Sequence, residues 1–182
     1  MNHDTRIAAS NETNGSTWNG SVIDQSAGGS DDMARTNASR TGYYLKKFLT
    51  DGLNLTQGQT AQHNWVAYRW AEVLLNYAEA MNEAFGPDAV PSGYAMSARQ
   101  ALQQVRDRAS VNLPAVTAAD KDSFREVVKH ERRIELAFED HRYWDLIRWK
   151  DAMDVLNSPI LGVKVSKNGN SYSYEIAEVA TR

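Results

Sequence analysis

The sequence predicts a mainly α fold of tetratricopeptide-like helix hairpins, with a loop-rich N-terminal third and a C-terminal β-hairpin. Three observations carry that prediction. From Val66 onward, apolar residues recur at three- and four-residue steps, the period of one helix face. Before residue 64 the chain is instead rich in Asn, Ser, Thr and Gly, as in Ser10-Asn11-Glu12-Thr13-Asn14-Gly15-Ser16. Beyond Pro159 the pattern alternates around Asn168-Gly169, a pair whose tolerance of positive φ suits a tight hairpin turn.

Residues 1–64 read as a segment lying over a larger body, because a loop of this length inside a compact domain is unusual. Only Thr41 to Leu49 has local structure-forming weight there. Residues 65–158 form the helical part. Its first helix has the face Val66, Trp70, Val73, Leu74, Tyr77, Ala78 and Met81, with Arg69, Glu72, Asn76, Glu79 and Glu83 opposite. Gly86-Pro87 ends it. Ser97 caps a second helix, whose face is Ala98, Ala101, Leu102, Val105 and Ala109 and which Asn112-Leu113-Pro114 closes. Small residues such as Ala71, Ala78 and Ala101 permit close packing of this pair, which needs neighbours on both sides to bury its apolar surface. A third helix starts at Thr117 or at Ser123, each of which heads a Ser/Thr-x-x-Asp/Glu capping box. Its face is Phe124, Val127, Val128, Glu131, Ile134 and Phe138. After a turn at Asp140-His141, a short helix runs from Tyr143 to about Leu156. Residues 159–182 form the hairpin and tail, with alternating runs Leu161, Val163, Val165 and Tyr172, Tyr174, Ile176, Val179.

The bulk properties exclude several classes. A chain of 182 residues with net charge −3 can bury one real core and has no basic footprint, so no nucleic-acid partner is expected. There is no cysteine, hence no disulfide, thiol nucleophile or thiolate metal site. No apolar run approaches the ~20 residues of a membrane span. The N-terminus lacks a signal-peptide pattern, so the chain is expected to be mature or a piece of something longer.

Residues 131–149 are the most informative stretch, because charged residues are interleaved there with Ile134, Leu136, Phe138, Tyr143, Trp144, Leu146 and Trp149. Buried charge is tolerated only when paired, so a structural ion-pair network is expected. Its members are Glu131, Glu135, Arg142 and Arg148, with Glu131 or Glu135 paired to Arg142 or Arg148 across the Asp140-His141 turn. Such pairing lowers a carboxyl pKa, the opposite of what a general acid needs, so no catalytic residue and no enzyme activity are assigned. Metal motifs are near misses: His130-Glu131-Arg132-Arg133-Ile134 has Ile where a zincin helix needs its second His. No metal or cofactor is expected. Aromatic side chains in polar loops remain, since their faces stack on the C–H surface of sugar rings while amides take the hydroxyls. Trp18, between Thr17 and Asn19-Gly20, fits best as a glycan-binding residue, and Trp65, after Gln62-His63-Asn64, is second. Trp70, Trp144 and Trp149 fall in helical faces and are expected in the core.

The order of several segments resembles the SusD/RagB family, the starch-utilisation-type outer-membrane nutrient-binding lipoproteins. The resemblance rests on Arg69-Trp70-Ala71-Glu72-Val73-Leu74-Leu75-Asn76-Tyr77-Ala78-Glu79-Ala80, on Val105-Arg106-Asp107-Arg108-Ala109, and on Glu131 to Glu139 with His141-Arg142-Tyr143-Trp144-Asp145-Leu146 and Arg148-Trp149. Thr41-Gly42-Tyr43-Tyr44 with Lys47-Phe48, and Asp4-Thr5-Arg6-Ile7, are similar to weaker family motifs. The resemblance implies a cell-surface glycan-binding protein of the outer membrane that delivers oligosaccharides to a TonB-dependent transporter without chemistry. The implied membrane link is a lipid anchor absent from this chain, which reads as a C-terminal-half fragment. The matching motifs belong to the scaffold, so no binding residue of the family carries over to a numbered position. The rival reading is a tetratricopeptide-type interaction scaffold with no ligand pocket of its own.

Overall fold

A computed structural model describes residues 4–180. In chain order its elements are α1 (Thr5–Ser10), β1 (Asn11–Glu12), β2 (Thr17–Trp18), β3 (Ser21–Val22), β4 (Tyr44–Leu45), a 3-10 turn (Leu55–Gln57), α2 (Trp70–Phe85), α3 (Ala98–Arg106), α4 (Lys121–Glu135), α5 (His141–Trp149), α6 (Ala152–Leu156), β5 (Ile160–Asn168) and β6 (Ser171–Ala180). The helix-rich architecture with short β-hairpins is as the sequence predicts. The chain divides into two compact units, one of the residues up to Arg6 with Trp65–Asp145, the other of Ile7–Asn64 with the residues from Leu146 on.

In the helical unit, α2, α3 and α4 share one core of Leu74, Leu75, Ala78, Met81, Ala98, Ala101, Leu102, Val105, Phe124, Val128 and Leu136. Ser97 caps α3 in a reciprocal box, its hydroxyl accepting from Gln100 N while its own N–H donates to the Gln100 side chain. The cap of α4 is neither expected residue: the Asp120 carboxylate accepts from Asp122 N and Ser123 N, so Ser123 lies inside the helix. An ionised acceptor at the positive end of a helix satisfies two free N–H groups and the dipole together.

The buried face of α2 also differs from the expected stripe. It is Ala71, Leu74, Leu75, Ala78, Met81 and Asn82, and it includes Glu72. Trp70 is 66% exposed, as is Trp144, whereas Trp149 is half-buried under the Arg148 guanidinium, 4.6 Å from its ring centre. With Ala71 and Ala78 in the seam the helices approach closely, and the bulk of Trp70 is turned to the margin. Two further shortfalls have local causes. Phe138 is exposed because α4 stops at Glu135 and Phe138 takes a positive φ of 64°. The helix expected over 143–156 is two helices, broken where Lys150 takes a φ of 64°.

The other unit holds three antiparallel ladders, β1 with β4, β2 with β3, and β5 with β6. Between β2 and β3, Asn19 and Gly20 both have positive φ, 48° and 75°, the requirement of a type I′ hairpin turn. In the C-terminal hairpin Asn168 pairs with Ser171, so the turn is Gly169-Asn170, one residue beyond the pair the sequence marks. Strand β5 lies against residues 40–42: Val163 N donates to Thr41 O at 2.9 Å. Gly162 permits that approach, since a Cβ there would sit 2.8 Å from Thr41 Cα.

A buried ion network holds the helical unit. The Glu131 carboxylate accepts from Arg6 and, at 2.7 Å, from Arg106. Glu135 accepts from Arg69 at 2.7 Å, from Arg6 at 3.0 Å and from both Nη atoms of Arg108 at 2.7 and 2.9 Å. Arg69 also forks onto Glu139 at 2.7 and 2.8 Å, and Arg6 onto Asp4. Four carboxylates thus meet four guanidiniums. Both central glutamates are buried, Glu131 being 1% exposed. In place of Arg142 and Arg148, expected across the turn, the two glutamates take arginines far away in sequence. A second buried pair, Arg132 with Asp145 at 3.1 Å, ties α4 to α5.

Removing one partner of such a network strands the others. Glu131→Ala is therefore expected to lower the urea-unfolding free energy by about 3–5 kcal/mol; a loss under about 1 kcal/mol would be that of an exposed pair. Burial pushes the Glu135 carboxyl up, but hydrogen bonds from Arg69, Arg6 and Arg108 outweigh it and hold it below its ordinary 4.5. A carboxyl lowered in the folded state stabilises above its unfolded pKa and loses that contribution as pH falls through the folded value. The urea midpoint should accordingly hold at neutral pH and drop on acidification below 4.5, with a shallower drop in Glu135→Gln.

Candidate functional site

Trp18 is the last residue of β2 and stands half-buried beside the type I′ turn. The turn is clamped from outside the hairpin: Asn19 N donates to Asp51 Oδ1 at 2.7 Å, and Gly52 N donates to Asn19 Oδ1 at 2.7 Å. The hairpin tip is thereby fixed to the 51–52 loop, and Trp18 is carried on a rigid support.

Trp18 lines a recess of about 400 Å³ with Ser21, Val22 and Ile23 of its own hairpin and with Glu12, Tyr44 and Leu45 of the β1–β4 ladder. Ser30, Asp31 and Leu49 complete the lining. That volume lies in the range of small-molecule sites. A second recess, of about 640 Å³, shares Ser30, Asp31 and Tyr44 and continues along Arg35, Thr36 and Asn37. Polar groups here are held in place. Asp31 Oδ2 accepts from Asp24 N at 3.1 Å and from the Ser30 hydroxyl. The Tyr44 hydroxyl accepts from Ser39 N at 3.1 Å. Glu12 is buried, and Lys46 Nζ stands 2.7 Å from its Oε1, an ion pair off the axis of a hydrogen bond.

An aromatic plane with carboxylate and hydroxyl groups at its edge can hold a ligand that has both C–H faces and hydroxyls. Among the described residues no group of three potential metal ligands occurs.

Trp65 is 68% exposed in the non-helical stretch before α2 and lines neither recess. It belongs to the helical unit, whereas Trp18 belongs to the other. Glu131 and Glu135 sit in the buried network described above, and Arg142 and Arg148 stand on α5. Sequence reasoning did not single out Asp31 or Tyr44. A signal existed for the hairpin, since Asn19-Gly20 is the same turn pair that marks the C-terminal one.

A family model described as the SusD family matches residues 1–180. The SusD-like protein P25 of Formosa agariphila is 38% identical over 95 residues, covering 51% of this chain and 16% of that protein. A crystal structure of a SusD-like protein from Bacteroides fragilis superposes with a TM-score of 0.75 at 27% identity, over 98% of this chain and 34% of that one. A SusD-like carbohydrate binding protein from the same organism gives 0.69 at 31% identity, over 98% of this chain and 37% of that one. The chain thus spans about a third of these solved proteins.

The clamp generates its own test. Asp51→Ala removes an ionised acceptor from Asn19 N, so amide exchange at Asn19 should quicken by about tenfold or more, while the helical unit's protection stays as it was. Unchanged exchange at Asn19 would show that the tip does not need the clamp.

Proposed function

This chain belongs to the SusD family, and on that footing we propose that it binds glycans at the cell surface, through the Trp18 recess, and hands oligosaccharides to a TonB-dependent outer-membrane transporter. The observation that carries this reading is Trp18 itself: a half-buried indole on a clamped hairpin, with Tyr44 and Asp31 beside it. A rigid aromatic plane costs little ordering entropy on binding, and a sugar ring supplies the C–H face that stacks on it.

The proposed role involves no chemistry. Two carboxyls that could serve as an acid/base pair, Glu131 and Glu135, are buried beneath arginines, and the Glu135 carboxyl is held below its ordinary value. A glycosidase acid needs the opposite shift. The proposed setting is the outer membrane by way of a lipid anchor; no helix of the described residues is long and apolar enough to cross a membrane.

A second reading, a protein-interaction scaffold, draws on the exposed Trp70 and Trp144 of the helical unit. Calorimetry on the full-length protein separates the two. Oligosaccharide binding that weakens by about tenfold in Trp18→Ala, a loss of ~1.4 kcal/mol, with an unchanged unfolding midpoint, supports glycan capture; co-purification of a transporter supports delivery. No heat with any oligosaccharide, together with co-purification of other proteins and no transporter, favours the scaffold.

A further inference from the structure

The charges around Trp18 narrow the ligand further. Resting on the glycan-binding reading, we infer that the Trp18 recess selects rings that are neutral or carry an amine, and rejects rings that carry a carboxylate or a sulfate. Its charged lining residues are Glu12 and Asp31, both acidic, and no lysine or arginine lines it.

The two acids act differently. Glu12 is 3% exposed, and its charge is met by Lys46, which stands outside the lining. Asp31 is half-buried, and its Oδ2 is occupied by Asp24 N and the Ser30 hydroxyl. Its Oδ1 accepts no hydrogen bond from the described residues, so one carboxylate oxygen is left to accept from a ligand. A sugar hydroxyl or an ammonium can donate there. A carboxylate or sulfate group cannot, and its own charge would stand close to that of Asp31.

Donors, which an anion requires, are few. The Ser30 hydroxyl is committed to Asp31, and Asp31 N to Asp24 O at 2.8 Å. Ile23 N is committed to Ser16 O at 2.9 Å. The side-chain donors that remain are the indole N–H of Trp18 and the hydroxyls of Ser21 and Tyr44, all uncharged. A cationic partner, the strongest donor for carboxylate and sulfate groups, is absent from this lining.

Arg35 lies in the adjoining recess, where its Nε donates to Gly29 O at 2.7 Å. An anionic substituent elsewhere along a glycan could meet it there. The selection therefore applies to the ring on Trp18 and not to every ring of the chain.

The test is titration calorimetry on the full-length protein with four hexasaccharide probes: a neutral glucan, a glucosamine oligomer, a uronate oligomer and a sulfated glucan. The neutral and amino probes should bind, each weakening in Trp18→Ala. The uronate and sulfated probes should bind at least about tenfold more weakly, with a gap that narrows in Asp31→Asn and at high salt. Uronate binding as tight as the neutral probe and lost in Trp18→Ala would overturn the charge selection and leave glycan capture standing. A gap that Asp31→Asn leaves untouched would also overturn it. Silence with all four probes would overturn the glycan reading and this inference together.

Discussion

The helical unit depends on how two buried carboxylates are neutralised. Glu131 and Glu135 sit on the inward face of α4 where apolar side chains would ordinarily pack, and each unpaired charge there would cost several kcal/mol. Four arginines from three separate places answer them: Arg6 from the N-terminal segment, Arg69 at the head of α2, and Arg106 and Arg108 at the end of α3. The planar guanidinium forks allow one residue to bridge two acids, as Arg69 does between Glu135 and Glu139 and Arg6 does among Asp4, Glu131 and Glu135. A buried network of this kind contributes little net free energy over an apolar core. What it enforces is geometry, since any other arrangement of these elements strands a charge.

The same physics separates what was legible in the sequence from what was not. That Glu131 and Glu135 must be paired followed from the interleaving of charged with apolar residues over 131–149. Which arginines pair with them did not, because local spacing points only to neighbours, whereas Arg6 lies 125 residues from Glu131. Helix existence was legible from periodicity, but the face of α2 was ambiguous. Its apolar residues support two adjacent stripes, and the alanines, which carry the weaker hydrophobic signal, decide the seam. Trp70 was therefore expected inside and lies mostly outside. Helix ends were missed where a non-glycine residue takes positive φ, as at Phe138 and Lys150, since no propensity marks those positions.

The Trp18 recess is a different case. Its tryptophan was singled out for standing in a polar loop, and the reason that loop is ordered was also written there, in Asn19-Gly20. What could not be read is the convergence of Glu12, Asp31 and Tyr44, which come together only through the β1–β4 ladder and the loop at 30–31. The family motifs thus identify the scaffold, and the residues proposed to face a ligand lie in the segment where the sequence is least patterned. Scaffold and recess place different demands on the chain: one requires fixed charge partners, the other only a rigid support for a variable surface.

The most direct measurement is a crystal structure of the full-length protein with a neutral oligosaccharide bound. A sugar ring should lie flat on the Trp18 indole, with a hydroxyl donating to Asp31. A ring seated elsewhere, on Trp65 for example, with the Trp18 recess filled only by water, would contradict it.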